Sequence, residues 1–159
     1  MYGSIGPALS KFNLWVAAMQ LTRAADYAVR VMIHLASLPS GTRLPLNILA
    51  QAVDVPESFL SKVLQSLTRA GLLSSRRGTD GGFTLASANA SLLDVIQAID
   101  GPLQLNVCTS HDGSCVRSGT CPAHQVWIRA QQSLAAVLGE ARIGELGSQA
   151  HREGLAAVH

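Results

Sequence analysis

Apolar side chains recur at helical spacing along most of the chain, and short breaks rich in polar residues, glycine and proline divide them. Ala25, Ala28, Val29, Met32, Ile33 and Leu35 form one apolar face of a helix that runs to about Ser37, with Thr22 as its N-cap. Pro39 and Gly41 break it. A second, short helix is predicted from Pro45 to Ala52, and Val53-Asp54-Val55 forms a turn. Pro56 suits the first turn of a third helix, and Glu57 suits its positive dipole end. That helix runs to about Ala70, with Phe59, Leu60, Val63, Leu64 and Leu67 on its apolar side, and Gly71 stops it. Leu72–Ser75 and Phe83–Leu85 read as strands joined by a polar, glycine-bearing tip, Arg76–Gly82. A further helix spans Ser91 to Ile99, with Ser91 as cap and Asp94 at the capping-box position. Residues 103–121 lack periodicity. Pro122 opens a long helix to about Leu138. Trp127, Ala130, Leu134, Val137 and Ala141 step alternately by three and four along it, which predicts a coiled-coil seam. A short helical turn is expected around Ile143–Leu146, with a mobile tail beyond.

The order helix, short helix, tight turn, longer helix, hairpin predicts a mainly α fold with a small β-wing: a winged helix-turn-helix followed by a long C-terminal dimerisation helix. The expected organisation is an extension at 1–18, a DNA-binding winged helix-turn-helix at 19–86 and a linking helix with a cysteine-bearing sensor loop at 87–121. A dimerisation helix at 122–141 and a tail at 142–159 complete it. Residues 1–18 have no charged start and no long apolar stretch, so they make a poor signal peptide. They read as a disordered or misassigned extension ahead of Met19.

In a helix-turn-helix the second helix enters the major groove, and its N-terminal end meets base edges. Ser58, Ser61 and Gln65 can donate and accept there, while Lys62 and Arg69 suit phosphates. Arg76 and Arg77, on a glycine-permitted turn, can reach a minor groove. Lys62, Arg76 and Arg77 each also have an ordinary reading as surface charges, and the hairpin as a solvated one. A basic hairpin directly after a helix-turn-helix pattern favours double-stranded DNA. The charge distribution agrees: Met19 to Ala86 holds seven basic and four acidic residues, whereas Ser87 to His159 holds four and six.

Apolar residues make up 48% of the chain and charged ones 14%, which supports a core and argues against intrinsic disorder. No apolar run is long enough for a membrane span. All three cysteines lie in one loop, spaced Cys108-x6-Cys115-x5-Cys121, with His124 just beyond. An odd, clustered set argues against a disulfide framework and for a metal or redox site in a reducing, cytoplasmic compartment. Thiolates suit an iron–sulfur cluster or zinc. The spacing does not match paired CxxC knuckles, which weakens zinc, although a three-cysteine, one-histidine zinc set remains the competitor. His124 reads equally as a ligand or as a helix-terminus residue, and His111 as solvated. A thiolate that oxidises directly, with no metal, is a further possibility. There is no phosphate loop, HExxH or Gly-x-Ser-x-Gly motif, so an enzyme is not expected.

Four stretches, "MQLTRAADYAVRVMIHLASLP", "VPESFLSKVLQSLTRAGLLSSRRGTDGGFTLA", "SLLDVIQAIDGP" and the cysteine loop, closely resemble the IscR/NsrR family of bacterial winged-helix regulators. The resemblance covers roughly Met19 to Leu146. It implies a homodimer on partly palindromic promoter sites, with long C-terminal helices crossing at the interface. It also implies a two-iron or four-iron cluster on Cys108, Cys115 and Cys121, whose loss or reaction changes DNA affinity. The fourth ligand it implies is either His124, as in IscR-like members, or Asp26 of the other subunit, as in NsrR-like members. The first cysteine gap departs by about one residue from the IscR pattern.

Overall fold

The computed structural model describes residues 21–110 and 115–154; the expected extension at 1–18, Met19 and His111 lie outside them. Helix α1 spans Arg23–Ser37, α2 Leu46–Val53 and α3 Glu57–Arg69. Strands β1 (Leu73–Arg76) and β2 (Gly82–Leu85) pair antiparallel, with Leu73 opposite Leu85 and Arg76 opposite Gly82. Helix α4 spans Leu92–Asp100, a 3₁₀ turn covers Val107–Thr109, and α5 and α6 span His124–Glu140 and Ile143–Arg152. The fold is mainly helical with a small β-hairpin wing and a long C-terminal helix, as the hydrophobic pattern predicts.

Local chemistry explains the ends of these elements. The Thr22 side chain accepts from the Ala25 N–H at 3.1 Å and starts α1. The Thr22 N–H and hydroxyl also donate to the Asp100 carboxylate at 3.2 and 2.6 Å, which ties the start of α1 to the end of α4. Asp54 closes α2 in the left-handed region (φ 54°), a conformation its short polar side chain tolerates. Ser91 and Asp94 form the expected reciprocal capping box on α4.

One core joins these elements. Ala28, Val31, Met32 and Leu35 of α1 pack in a cluster with Leu49 and Val53 of α2 and Leu60, Val63, Leu64 and Leu67 of α3. Leu73, Val95 and Ile143 extend it to the wing, α4 and α6. Phe59, expected on the apolar side of α3, is instead 41% exposed, and its ring meets Tyr27 edge-on at 5.6 Å.

Helix α6 differs most from expectation. Instead of a single turn and a mobile tail, it runs for 10 residues and packs along α1. Its inner face includes Gly147, where an added Cβ would come within 2.5 Å of the Ala36 backbone. Bulky-residue periodicity could not announce this contact, because a missing side chain is what makes it. The strand-like stretch around Ser91 also pairs with Arg142: Leu92 N–H donates to the Ala141 carbonyl, and Ile143 N–H to the Ala90 carbonyl, both at 2.9 Å.

Gly147→Ala should destabilise the fold by about 1–3 kcal/mol through overpacking against α1. Gly119→Ala, with nothing within 4 Å of the new Cβ, should melt like the wild type. Thermal unfolding of the pair checks this. Hydrogen bonds from the Ser91 N–H and then its hydroxyl, with Arg142 nearby, hold the Asp94 carboxyl below its ordinary pKa. A depressed carboxyl adds stability that is complete above the usual carboxylate range and is lost as pH falls through the lowered pKa. The stability gap between wild type and Asp94→Asn should therefore be constant at neutral pH and shrink in acid, as denaturant titrations across pH will show.

Candidate nucleic-acid interface and thiol pocket

The turn between α2 and α3 is rigid. Val55 is buried, its N–H donates to the Ala50 carbonyl at 3.0 Å, and the Pro56 carbonyl accepts from Phe59 and Leu60 at 3.0 and 2.9 Å. The apolar side of α3 faces the core, which turns Glu57, Ser58, Lys62, Gln65 and Arg69 outward, while Ser61 is half-buried. Arg69 donates to the Ser66 hydroxyl at 3.1 Å, which orients its guanidinium along the helix.

The wing lies beside this face. Gln65, Thr68 and Arg69 of α3 and Ser75, Arg76, Arg77 and Phe83 of the hairpin line one open groove of about 460 Å³. Four of the residues singled out in the sequence (Gln65, Arg69, Arg76 and Arg77) thus share one surface, and no carboxylate lines it. Three guanidinium groups on an open groove make a surface suited to a polyanion.

Sequence reasoning missed what holds the wing. Leu44, before α2, forms a β-bridge with Phe83: each N–H donates to the other's carbonyl, at 3.0 and 2.8 Å. Arg43 beside it donates to the Gly82 carbonyl at 3.0 Å and, at a longer 3.5 Å, to that of Ser74. Gly82 has φ 133°, and a Cβ there would strike the Leu44 carbonyl, so glycine is required. No periodic signal marks Arg43 or Leu44, because a single bridge is too short to alternate.

A second site lies on the cysteine loop. Asn106 caps the 3₁₀ turn: its side chain accepts from the Val107 N–H at 2.8 Å, and the Thr109 hydroxyl donates to its carbonyl at 2.8 Å. This turn carries Cys108 and packs on α5, where the Gln131 side-chain oxygen accepts from the Leu105 N–H at 3.0 Å. Cys108, Cys115 and His124 line one pocket of about 400 Å³ with Ser118, Gln131 and neighbouring residues. Cys121 is absent from its walls, although its carbonyl accepts from the His124 N–H at 3.1 Å. All three cysteines are free and half-buried. His124 Nδ1 is buried without a hydrogen-bond partner. Among the described residues, no three His, Cys, Asp or Glu side chains stand close enough to hold one metal ion. Asp26, the alternative fourth ligand, pairs with Arg30 of its own helix at 2.8 Å.

Two thiols and an imidazole whose Nδ1 is buried without a partner fit a soft-metal centre in donor type. The position of Cys121 does not match a closed ligand set. The same pair of thiols lining one pocket suits oxidation without metal.

Helix α5 buries no residue fully, and Val126, Leu134 and Val137 on its outer face are 63%, 37% and 65% exposed. No described helix is long and apolar enough to cross a membrane.

Comparison with known proteins agrees with this geometry. The Rrf2 family description, "Iron-dependent Transcriptional regulator", matches residues 21–149. A Mycobacterium tuberculosis protein named as an HTH-type transcriptional regulator, Rv1287, is 36% identical over 143 residues, covering 88% of each chain. Among solved structures, CymR of B. subtilis, titled the global cysteine regulator, superposes with a TM-score of 0.67 at 26% identity, covering 82% of this chain and 98% of its own. T. potens IscR shares the fold, with a TM-score of 0.65 at 21% identity over 91% of this chain and 95% of its own. Likeness to both widens the IscR/NsrR resemblance to the larger family, a DNA-binding and non-catalytic class. The chain belongs to the Rrf2 family of winged-helix transcriptional regulators.

Proposed function

We propose that the protein binds a partly palindromic duplex as a homodimer, and that the oxidation state of the Cys108–Cys115 pocket modulates its grip. In this reading α3 enters the major groove. Ser58, Ser61 and Gln65 meet base edges, Lys62 and Arg69 meet phosphates, and Arg76 and Arg77 of the wing reach the adjacent minor groove. The exposed apolar face of α5 supports the dimer. Pairing Val126, Leu134 and Val137 with a second copy removes apolar surface from water and extends the predicted seam.

The observation that carries the sensing half is that Cys108 and Cys115 line one pocket on a loop tied to α5. A hydroperoxide can take both thiols to a disulfide, with two electrons and two protons leaving the thiols and the peroxide reduced to an alcohol and water, or hydrogen peroxide to two waters. No rearrangement of Cys121 is needed. Closing that bond pulls the loop along α5, and α5 in the dimer sets the separation of the two α3 helices.

A second reading is favoured by the buried His124 Nδ1 that lacks a partner. In it, Cys108, Cys115 and Cys121 hold a two-iron or four-iron cluster, with His124 or the partner subunit's Asp26 as fourth ligand; zinc on the same donors is the further alternative. The bound cluster would supply a redox- or nitric-oxide-reactive centre. This chain's residues would hold it and link the loop to α5. The reducing, cytoplasmic setting belongs to both readings.

Anaerobic purification separates them. The thiol reading expects no charge-transfer absorption and no stoichiometric iron or sulfide. It also expects a Cys108–Cys115 disulfide by mass spectrometry after peroxide, with roughly tenfold altered operator affinity that Cys115→Ala abolishes. Stoichiometric iron and sulfide, with colour lost in Cys115→Ala, would sink it in favour of the cluster. For the dimer, Val137→Asp should shift sedimentation towards monomer and weaken operator binding by about tenfold or more, since a charge would be buried in the seam.

A further inference from the structure

The wing is the least supported part of the reading surface. It is a two-stranded hairpin with four residues in each strand, and an isolated hairpin of that size is marginal in water. Its base is fastened: the Leu72 N–H donates to the Leu67 carbonyl of α3, and the Ala86 N–H to that of Leu72, both at 3.0 Å. Its upper half carries Arg76 opposite Gly82 and faces Gln65, Thr68 and Arg69 of α3 across the open groove. There the Leu44–Phe83 bridge and the Arg43 side chain provide the attachment.

We infer that Arg43 is a positioning residue for DNA binding, clamping the wing so that Arg76 and Arg77 face the duplex at a fixed angle to α3, without itself neutralising a phosphate. Its Nη1 is aimed at two carbonyls, Gly82 on β2 and Ser74 on β1, so one guanidinium group spans both strands. Arg43 is half-buried and does not line the groove that Arg69, Arg76 and Arg77 share. Its positive charge is directed at backbone dipoles, where a charge-assisted hydrogen bond is stronger than a neutral one. Gly82 serves the same clamp: any side chain there would push β2 off Leu44. Fixing the hairpin before binding removes an ordering cost that a swinging wing would meet on the DNA. The inference rests on the DNA-binding reading of the wing.

A double-mutant cycle tests it. The ligand is a duplex selected by the wild-type protein from a random-sequence pool, and affinity is measured by fluorescence anisotropy at fixed salt. Arg43→Met should weaken binding about tenfold. In an Arg76→Ala/Arg77→Ala background it should weaken binding no further, because the clamp then has nothing to aim. Additive losses would show that Arg43 meets its own phosphate and overturn the proposal. So would unchanged binding by Arg43→Met. If the Arg76→Ala/Arg77→Ala protein binds like the wild type, the wing reading falls and the inference with it, an outcome distinct from either of those. In the free protein, Arg43→Met should speed hydrogen exchange at the Phe83 amide while the thermal midpoint stays near the wild type; an unchanged exchange rate overturns the clamp. Should Arg43→Met not fold, Arg43→Gln carries the same cycle with the same expectations.

Discussion

Burial of one face of α1 is the constraint on which the other elements depend. Ala25, Ala28, Val31 and Met32 are wholly inaccessible to solvent, and Leu35 is nearly so. Burying a side chain such as Val31, Met32 or Leu35 contributes about 1.5–3 kcal/mol each. No single neighbour covers that face: α2, α3, α4 and α6 all pack against α1. Helix α4, which leads into the cysteine loop, and α6, which follows α5, therefore share a core with α3, the helix proposed to read DNA. A displacement of any of them is felt at α1, because close-packed interiors shift between discrete arrangements and do not deform smoothly.

This arrangement separates stiffness from reactivity. Helix α3 is anchored by Leu60, Val63, Leu64 and Leu67, all buried, so its outward residues stand on a fixed platform. The cysteine loop has a different character. Among its described residues Thr109 is the buried one, and short-range polar bonds around Asn106 and from Gln131 hold them. Local polar bonds exchange readily with water and hold less tightly than a packed apolar face. In the proposed sensing step, chemistry at the thiols would move the loop at small cost, whereas moving α3 would need a lever through α5 or α6.

The helical elements and the capping box at Ser91 and Asp94 were legible in the residues because they follow from local rules: apolar spacing, cap chemistry and proline position. The basic groove was legible in part. Its residues were identifiable one by one, and their convergence followed from recognising the helix-turn-helix and hairpin in order. Phe59 was placed on the wrong side of the boundary, since it sits at the edge of the apolar arc, and periodicity cannot tell core from rim. The length of α6 was illegible, because Gly144 and Gly147 contribute by being small, and a hydrophobic pattern counts only what is large.

The order of residues alone therefore determined the helices, the hairpin, the sign of charge on the reading face and the presence of thiols with a neighbouring imidazole. Those follow from interactions within about one helical turn or one β-turn. Tertiary packing decided that Cys108 and Cys115 line one pocket whose lining does not include Cys121, that Arg43 crosses to the wing, and that α6 lies along α1. The last two join segments far apart in the chain, and the first depends on how the cysteine loop folds against α5. Such contacts depend on how all the buried faces fit together at once, which no local stretch encodes.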